Sequence, residues 1–147
     1  MTEQIKTMPL RPGQKLVING AVVRMGSDGS SLELDFKTPV LTEDELLSES
    51  EAKTPATRIY FLLLVMYLDP SSYEATYPHF MDRMIELLRA TTIREVCENL
   101  RIIKQCVDNE RYYEALQACR ALVLFEKEVL AIAEAPAGTP EGASGAG

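Results

Sequence analysis

Ten consecutive apolar or aromatic residues, Ile59–Leu68, form the most hydrophobic stretch of this 147-residue chain. A helix of this length is too short to span a bilayer, which takes about 20 residues. It is apolar on every side, so we expect other elements to surround it on several sides. Its ends are well marked, because Thr54 suits the cap, Pro55 the first helical position and Asp69–Pro70 the stop. The pattern predicts the central helix of a small core.

The chain before this helix, from Lys6 to Leu41, has the short period of β structure. Asn19–Gly20 stands between the apolar runs Leu16–Ile18 and Ala21–Arg24, which is the strongest short-range hairpin pattern. Residues 31–36 alternate, which predicts a strand with one covered face. That face consists of Leu32, Leu34 and Phe36. We therefore predict a meander of about three to five short strands.

From Lys53 onward the apolar positions recur at helical spacing, and a short helix is expected in the acidic section before it, between Thr42 and Ala52. Thr42 with Glu45, and Thr92 with Glu95, fit capping boxes, and each pair predicts a helix start. Three further helices are predicted over Ser71–Arg89, Ile93–Val107 and Glu110–Ala133. The middle one is expected to bury Val96, Leu100, Ile103 and Val107. The last is expected to bury Tyr113, Leu116, Cys119, Val123 and Leu130.

These patterns together predict an α+β protein, in which a small N-terminal antiparallel β meander packs on a C-terminal bundle of about four to five helices. Residues 1–42 form the β-meander part, and residues 43–134 form the helical part of the same compact unit. Residues 135–147 are small, rich in Pro and Gly and nearly uncharged. Such a segment cannot bury enough surface to order itself, so we expect a flexible tail.

The net charge of −7 is unevenly distributed along the chain. Residues 43–52 contain five acidic residues and no basic one. Residues 1–42, by contrast, contain five basic and four acidic residues. The balance argues against a protein that coats nucleic acid non-specifically, yet it allows a local basic patch. The N-terminus has no apolar region typical of a signal peptide, so we expect a cytoplasmic protein without a membrane partner.

Candidate chemistry is sparse. Cys97, Cys106 and Cys119 are odd in number and lack metal-ligand spacing, so we expect reduced, packed thiols. His79 is the only histidine and has no evident Cys, Ser or Asp constellation around it. The glycines belong to turns and form no phosphate-binding loop. The sequence therefore predicts no enzyme, no metal, no cofactor and no small-molecule substrate.

Three segments in order resemble one family. They are PLRPGQKLVINGAVVR, then TPATRIYFLLLVMYLDP, then RYYEALQACRALVLFE. This order is similar to that of FlbT, the flagellum biosynthesis regulators of bacteria, from about Met8 to Leu130. The resemblance implies a post-transcriptional regulator that associates with the 5′ untranslated leader of flagellin mRNA.

The resemblance further implies repression of translation and promotion of message decay, with activation instead in some bacteria. It also implies a second flagellar regulator of the FlaF type as the protein partner. The alternative hypothesis is a flagellar protein-interaction adaptor or chaperone that acts through a FlaF-type partner without direct RNA contact. The acidic composition and the helical half favour that alternative.

An RNA ligand needs positive charge for its phosphates, and Arg11, Lys15 and Arg24 supply it in the β part. The alternative is that these are solvated charges beside turns. Arg58 and Tyr60 lie in the family motif at the start of the central helix. Arg58 either contacts phosphate or pairs with an acidic residue, and Tyr60 is a candidate for partner binding. The acidic residues within reach are Glu49 and Glu51.

The start of the last helix interleaves charge with aromatic rings. Arg111 is a further RNA-binding candidate, and Tyr112 is a partner-binding candidate, while at least one of Tyr112 and Tyr113 should lie in the core. A separate basic stripe follows the preceding helix. It consists of Arg94, Arg101 and Lys104, with Glu98 between them. That stripe is either a salt-bridged outer face or an RNA groove.

Overall fold

The computed structural model of the chain describes residues 5–27, 30–35 and 37–134. Within these ranges five strands precede four helices, and the predicted α+β class is confirmed. The strands are β1 (Ile5–Leu10), β2 (Lys15–Ile18), β3 (Ala21–Arg24), β4 (Ser30–Asp35) and β5 (Val40–Leu41). The helices are α1 (Pro55–Leu68), α2 (Tyr73–Ala90), α3 (Arg94–Asp108) and α4 (Tyr112–Glu134). Phe36 and the predicted tail, residues 135–147, lie outside the described residues.

The strands form two small antiparallel sheets instead of a single meander. One sheet pairs β1 with β4, and the other has the order β3-β2-β5. The hairpin predicted at Asn19–Gly20 is confirmed, with φ of 51° at Asn19 and 88° at Gly20. This turn pairs β2 with β3, and β5 pairs with the other edge of β2. Strand β1 therefore pairs with β4 in a separate sheet. The alternation predicted in β4 is also confirmed, because Leu32 and Leu34 are half-buried and their neighbours are exposed.

The core is built around α1, as predicted for the long apolar run. Helix α1 packs against α2 on one side and against α4 on another, and α3 packs on α4. Val17 of β2 and Leu41 of β5 are fully buried and join the same cluster of apolar side chains. The buried residues of α1 are Ala56, Ile59, Tyr60, Leu63, Leu64 and Met66.

The N-terminus of α1 is held by side chains from two places in the chain. Thr54 caps the helix, and its backbone N–H donates a hydrogen bond of 2.9 Å to Thr57 Oγ1. Glu126 of α4 accepts a second set of hydrogen bonds, from the Thr54 hydroxyl and, at 3.1 Å, from the Ala56 N–H. A carboxylate at this position satisfies unpaired helical N–H groups and complements the helix dipole. Glu126 therefore ties α4 to the start of α1.

The acidic connection between the sheet and α1 is fastened to the helices in a similar way. It contains two short 3-10 turns, Glu43–Glu45 and Glu49–Glu51. The first begins with the predicted capping box, in which the Thr42 N–H donates to Glu45 Oε1 at 2.8 Å. Arg120 of α4 forms an ion pair of 2.7 Å with Glu45, and the Tyr60 hydroxyl donates to the Glu45 carbonyl oxygen at 2.7 Å. These contacts hold the connection across α1 and α4.

Two predictions for the later helices were wrong. Helix α3 starts at Arg94 with Ile93 as its cap residue, and no side-chain capping bond from Thr92 is present. The Ile93 N–H instead donates to Thr91 Oγ1 at 3.1 Å, one residue earlier than predicted. Leu130 is 41% exposed, because α4 has 23 residues against 14 in α1 and extends beyond the neighbours that could cover it. The buried stripe predicted for α3 is confirmed.

In the part of the chain that the structure describes, no helix combines the length and the apolar character needed for crossing a membrane.

Replacing Leu63 by Ala should lower the free energy of unfolding by about 2–5 kcal/mol, because Leu63 is fully buried in the core cluster and its loss leaves a cavity there. Denaturant unfolding followed by circular dichroism measures this change. Leu124→Ala is the matched control, since Leu124 is 51% exposed and should cost less than about 1 kcal/mol. Equal effects of the two substitutions would contradict the central place of α1.

Replacing Glu126 by Ala should lower the free energy of unfolding by about 1–3 kcal/mol, because it leaves the Ala56 N–H and the Thr54 hydroxyl without their acceptor. The matched control is Glu128→Ala, which removes a carboxylate from an exposed position two residues further along α4. That change should stay within about 0.5 kcal/mol of wild type. The same unfolding measurement compares both variants, and a neutral Glu126→Ala would refute the proposed link between α4 and α1.

Candidate nucleic-acid interface

The β2–β3 hairpin carries two of the predicted RNA-binding residues directly opposite each other. Lys15 and Arg24 are cross-strand partners, and the next pair on the same face is Val17 and Val22. Side chains alternate along a strand, so Lys15, Arg24 and Val22 share one face of the sheet with Val17, which is buried in the core. Strand β3 is an edge strand with all four residues exposed, and Val22 is 59% exposed. The hairpin thus presents two cations beside an exposed apolar side chain.

Arg11 lies in the turn that leads into this hairpin. Its N–H donates to Gln14 Oε1 at 2.9 Å, and the Gln14 N–H donates back to the Arg11 carbonyl oxygen at 3.1 Å. Arg24 reaches the same turn, because its guanidinium donates to the Gly13 carbonyl oxygen at 3.3 Å. The structure therefore brings three predicted residues into one neighbourhood, which we call the hairpin cation cluster. It consists of Arg11, Lys15 and Arg24.

No member of the hairpin cation cluster forms an ion pair within the described ranges. Two acidic residues nevertheless border it. Glu43 Oε1 accepts a hydrogen bond of 3.1 Å from the Lys15 N–H. A hydrogen bond from the Thr42 hydroxyl, with a smaller contribution from Arg11 among others, lowers the pKa of Asp44, so this carboxylate is charged at neutral pH. A phosphate would bind best on the side of the cluster away from these acids.

The far end of the hairpin is fixed to the rest of the fold. The Asn19 N–H donates to the Pro39 carbonyl oxygen at 2.8 Å, and a Cβ placed on Gly20 would lie 3.9 Å from the ring of Tyr67. Tyr67 belongs to α1 and is packed on the core, where burial raises its pKa. The hairpin is therefore held against the C-terminal half of α1, and its cations sit on a supported strand pair.

Two other predicted residues lie elsewhere on the molecule. Arg58 is exposed near the start of α1, and the predicted ion pair with Glu49 or Glu51 is wrong, because Arg58 makes none with any described residue. Tyr60 is only 6% exposed, and its hydroxyl is occupied by the Glu45 carbonyl oxygen. Residues two apart on a helix point about 200° away from each other, so Arg58 and Tyr60 face opposite sides.

Arg111 and Tyr112 lie at the junction of α3 and α4. The Arg111 N–H donates to the Cys106 carbonyl oxygen at 2.8 Å, and the neighbouring Glu110 has a positive φ of 59°. The Arg111 side chain is exposed, whereas Tyr112 and Tyr113 are both half-buried against the core. Burial raises the pKa of Tyr112. Arg111 belongs to this junction and not to the β2–β3 hairpin, so it is not a member of the hairpin cation cluster.

The basic stripe of α3 is largely neutralised by its own helix. Arg101 bonds Glu98, as predicted, and Lys104 pairs with Asp108 at 2.6 Å. The second pair was missed, although its spacing of four residues is the usual one for helical ion pairs. These contacts favour the salt-bridged outer face over an RNA groove. Sequence reasoning also missed the exposure of Val22, which depends on β3 being an edge strand.

The fold and this surface define the class of molecule: a small α+β protein that presents a cationic β-hairpin beside a four-helix core. The family model described as "Flagellar protein FlbT" matches residues 7–130. The chain belongs to the FlbT family.

Named relatives extend this result. The chain is 37% identical to a probable flagellum biosynthesis repressor protein FlbT of Caulobacter sp. (strain K31), with 84% of this chain and 94% of the relative covered. It is 36% identical to the flagellum biosynthesis repressor protein FlbT of Caulobacter vibrioides, with 84% and 87% covered. It is 31% identical to a probable repressor of the same name in Mesorhizobium japonicum, with 88% and 87% covered. No solved structure matches the chain.

Replacing Gly20 by Ala should weaken the hairpin, because its φ of 88° is a left-handed conformation that costs a residue with a Cβ about 1–2 kcal/mol. The expected result is a loss of that size in the free energy of unfolding. Gly26→Ala is the matched control, since Gly26 has no positive φ and a Cβ there meets nothing within 4 Å. If both variants unfold like wild type, the left-handed turn is not what closes the hairpin.

Proposed function

We propose that this chain is a cytoplasmic regulator of flagellum biosynthesis that acts after transcription, by associating with the 5′ untranslated leader of flagellin mRNA. Binding represses translation and promotes decay of the message. The family relationship supports the regulatory role, since the similar proteins are named flagellum biosynthesis repressors. The protein acts as a binding regulator and cuts no RNA itself, so decay requires a separate nuclease. A FlaF-type flagellar regulator is its proposed protein partner.

The observation that carries the RNA hypothesis is the hairpin cation cluster. Lys15 and Arg24 are exposed cross-strand partners, Arg11 adjoins them, and none of the three is neutralised by an ion pair with a described residue. On a chain with net charge −7, such a local group of cations is what phosphate contacts need. Val22 adds an apolar surface against which an unstacked base can rest.

Arg58 and Arg111 stay in the proposal as secondary phosphate contacts. Both are exposed, and neither forms an ion pair with a described residue. Of the two tyrosines considered for partner binding, Tyr112 is the more accessible, since Tyr60 is buried. We therefore place the partner contact nearer to Tyr112 than to Tyr60.

The second candidate function is a protein-interaction adaptor or chaperone of the flagellar system that touches RNA only through its partner. The acidic side chains bordering the cations favour it, because Glu43 and Asp44 repel phosphate. Purified protein alone separates the two functions. A direct RNA regulator binds the leader without help, whereas an adaptor binds it only after the FlaF-type partner is added.

Fluorescence anisotropy with a labelled flagellin leader, against a scrambled leader of equal length, should show leader-specific binding that weakens as salt rises. Three phosphate contacts to a single strand correspond to a slope of about −2 in a plot of log affinity against log salt. Changing Arg11, Lys15 and Arg24 to Glu should abolish binding and leave the circular dichroism spectrum unchanged, because all three side chains are exposed.

The matched control changes three exposed cations of the helical half to Glu and alters the net charge equally. They are Arg89, Arg94 and Lys127. This control should retain most of the leader affinity, since loss through bulk charge alone would affect both triple variants. Asp44→Asn should strengthen binding by removing a bordering negative charge. Leader binding that survives the hairpin changes, or is lost equally in the control, would place the RNA site elsewhere.

A further inference from the structure

We propose that the groove between α2 and α3 binds an amphipathic helix of a partner protein, one whose apolar stripe is flanked by acidic residues. This inference concerns a surface separate from the hairpin cation cluster. Binding of a helix in this groove does not depend on RNA binding, and separate measurements test it.

The groove is a cavity of about 240 Å³ with an almost wholly apolar wall. Met84 and Leu100 form its buried floor, at 4% and 3% exposure. Methionine is flexible and polarisable, and it is common at surfaces that accept partner helices. The remaining lining residues are Met81, Ile85, Leu88, Cys97, Arg101 and Lys104.

The groove exists because the ring of four helices is closed on only three sides. Helix α1 packs closely on α2 and α4, and α3 packs closely on α4, but α2 and α3 make few contacts with each other. Two neighbouring helices that share a bundle usually fill the space between them with interlocking side chains. Here that space is left open along the line where α2 and α3 face each other.

The apolar residues at the groove have the spacing of a helix-binding stripe. Met81, Ile85 and Leu88 recur at intervals of four and three on α2, so they line one face. Ile85 is 39% exposed and Leu88 is 47% exposed. Large apolar side chains gathered in this way on a surface mark an interaction site. A helix presenting apolar residues at matching intervals would bury them.

The charged residues that line the groove indicate which kind of helix it binds. The groove is lined by two charged residues, Arg101 and Lys104, and both are positive, although the chain as a whole is acidic. Each is more than 40% exposed in its side chain and pairs only with a residue of its own helix. Exposed pairs of this kind contribute about 0–1 kcal/mol, so carboxylates of a partner can compete for the same cations. An acidic flank therefore fits these two cations, whereas a basic flank finds no carboxylate among the residues that line the groove.

Other occupants fit this surface less well. The groove lining contains no aromatic ring on which an RNA base could stack. One way for a second copy to fill the groove is to insert exposed apolar residues of α4, such as Leu124 at 51% exposure. That contact joins two different surfaces, so it does not form a closed two-fold dimer. An acid-flanked helix of another protein satisfies the apolar stripe and the cations together.

The test uses the full chain and a fluorescein-labelled, lactam-stapled peptide of about 18 residues, long enough to be helical, with leucines at helical spacing and flanking glutamates. A matched peptide carries lysine in place of each glutamate. The expected result is about tenfold tighter binding of the acidic peptide in fluorescence anisotropy. Leu88→Glu should weaken its binding about tenfold, whereas Leu124→Glu, an equally exposed change on α4, should not.

The two half-buried cysteines give a second readout within the same molecule. Cys97 lines the groove, and Cys106 lies outside it on the same helix. Bound acidic peptide should slow alkylation of Cys97 by iodoacetamide, followed by mass spectrometry, while Cys106 reacts at an unchanged rate. In the double variant Arg101→Glu, Lys104→Glu, the preference should reverse toward the lysine peptide, which a merely structural effect would not produce.

Several outcomes would overturn the proposal. Equal affinity for the two peptides removes the charge argument, and binding that leaves Cys97 unprotected places the peptide elsewhere. Protection of Cys97 that rises with protein concentration alone, together with a dimer mass in light scattering, assigns the groove to a second copy. Protection by the flagellin leader would assign it to RNA. Leader binding should stay intact in Leu88→Glu, because Leu88 is not part of the hairpin cation cluster. This measurement distinguishes a failure of the groove proposal from a failure of the RNA proposal.

Discussion

Helix α1 has no polar face that could be left open to water, and the arrangement of the other elements follows from this constraint. Ile59, Leu63 and Met66 are buried on it almost completely, and a single neighbouring helix covers only one stripe. Helices α2 and α4 supply two sides, and the sheet residues Val17 and Leu41 supply another. The Glu126 carboxylate and the Arg120–Glu45 ion pair then fix α4 and the acidic connection around it. The hairpin and the groove are both placed by this packing.

The features that sequence predicted correctly depend on short stretches of chain. Asn19–Gly20 closes its hairpin because both residues accept positive φ, and Thr54 with Pro55 starts α1 through local capping and ring geometry. The stripe of α3 was predictable because one helix face repeats at a fixed interval. The pairing of β1 with β4 was not predictable, because alternation shows which residues share a face of a strand but does not show which strand pairs with it. Leu130 was misjudged because periodicity does not show where neighbouring helices end.

The candidate sites were likewise predictable where they depend on a short stretch of chain, and not predictable where they depend on distant contacts. Lys15 and Arg24 could be expected together, because the turn fixes the register of their strands. Arg58 and Tyr60 lie two residues apart in the sequence motif. Helical rotation nevertheless points Arg58 to solvent and Tyr60 to the core. The α2–α3 groove was invisible in the sequence, because it results from contacts that two helices do not make. Its exposed residues Ile85 and Leu88 look like ordinary core positions in the periodic pattern.

The hairpin cation cluster and the α2–α3 groove have no residue in common, and α1 lies between the elements that carry them. The hairpin touches α1 through Tyr67, and α2 touches it through the apolar core. Energetic coupling between two sites needs an element with two discrete arrangements, and a closely packed helix such as α1 has one. Ligands at the two surfaces should therefore bind additively. We therefore propose that this acidic protein holds a polyanion at one local group of cations and an acid-flanked helix at another, without either ligand displacing the other.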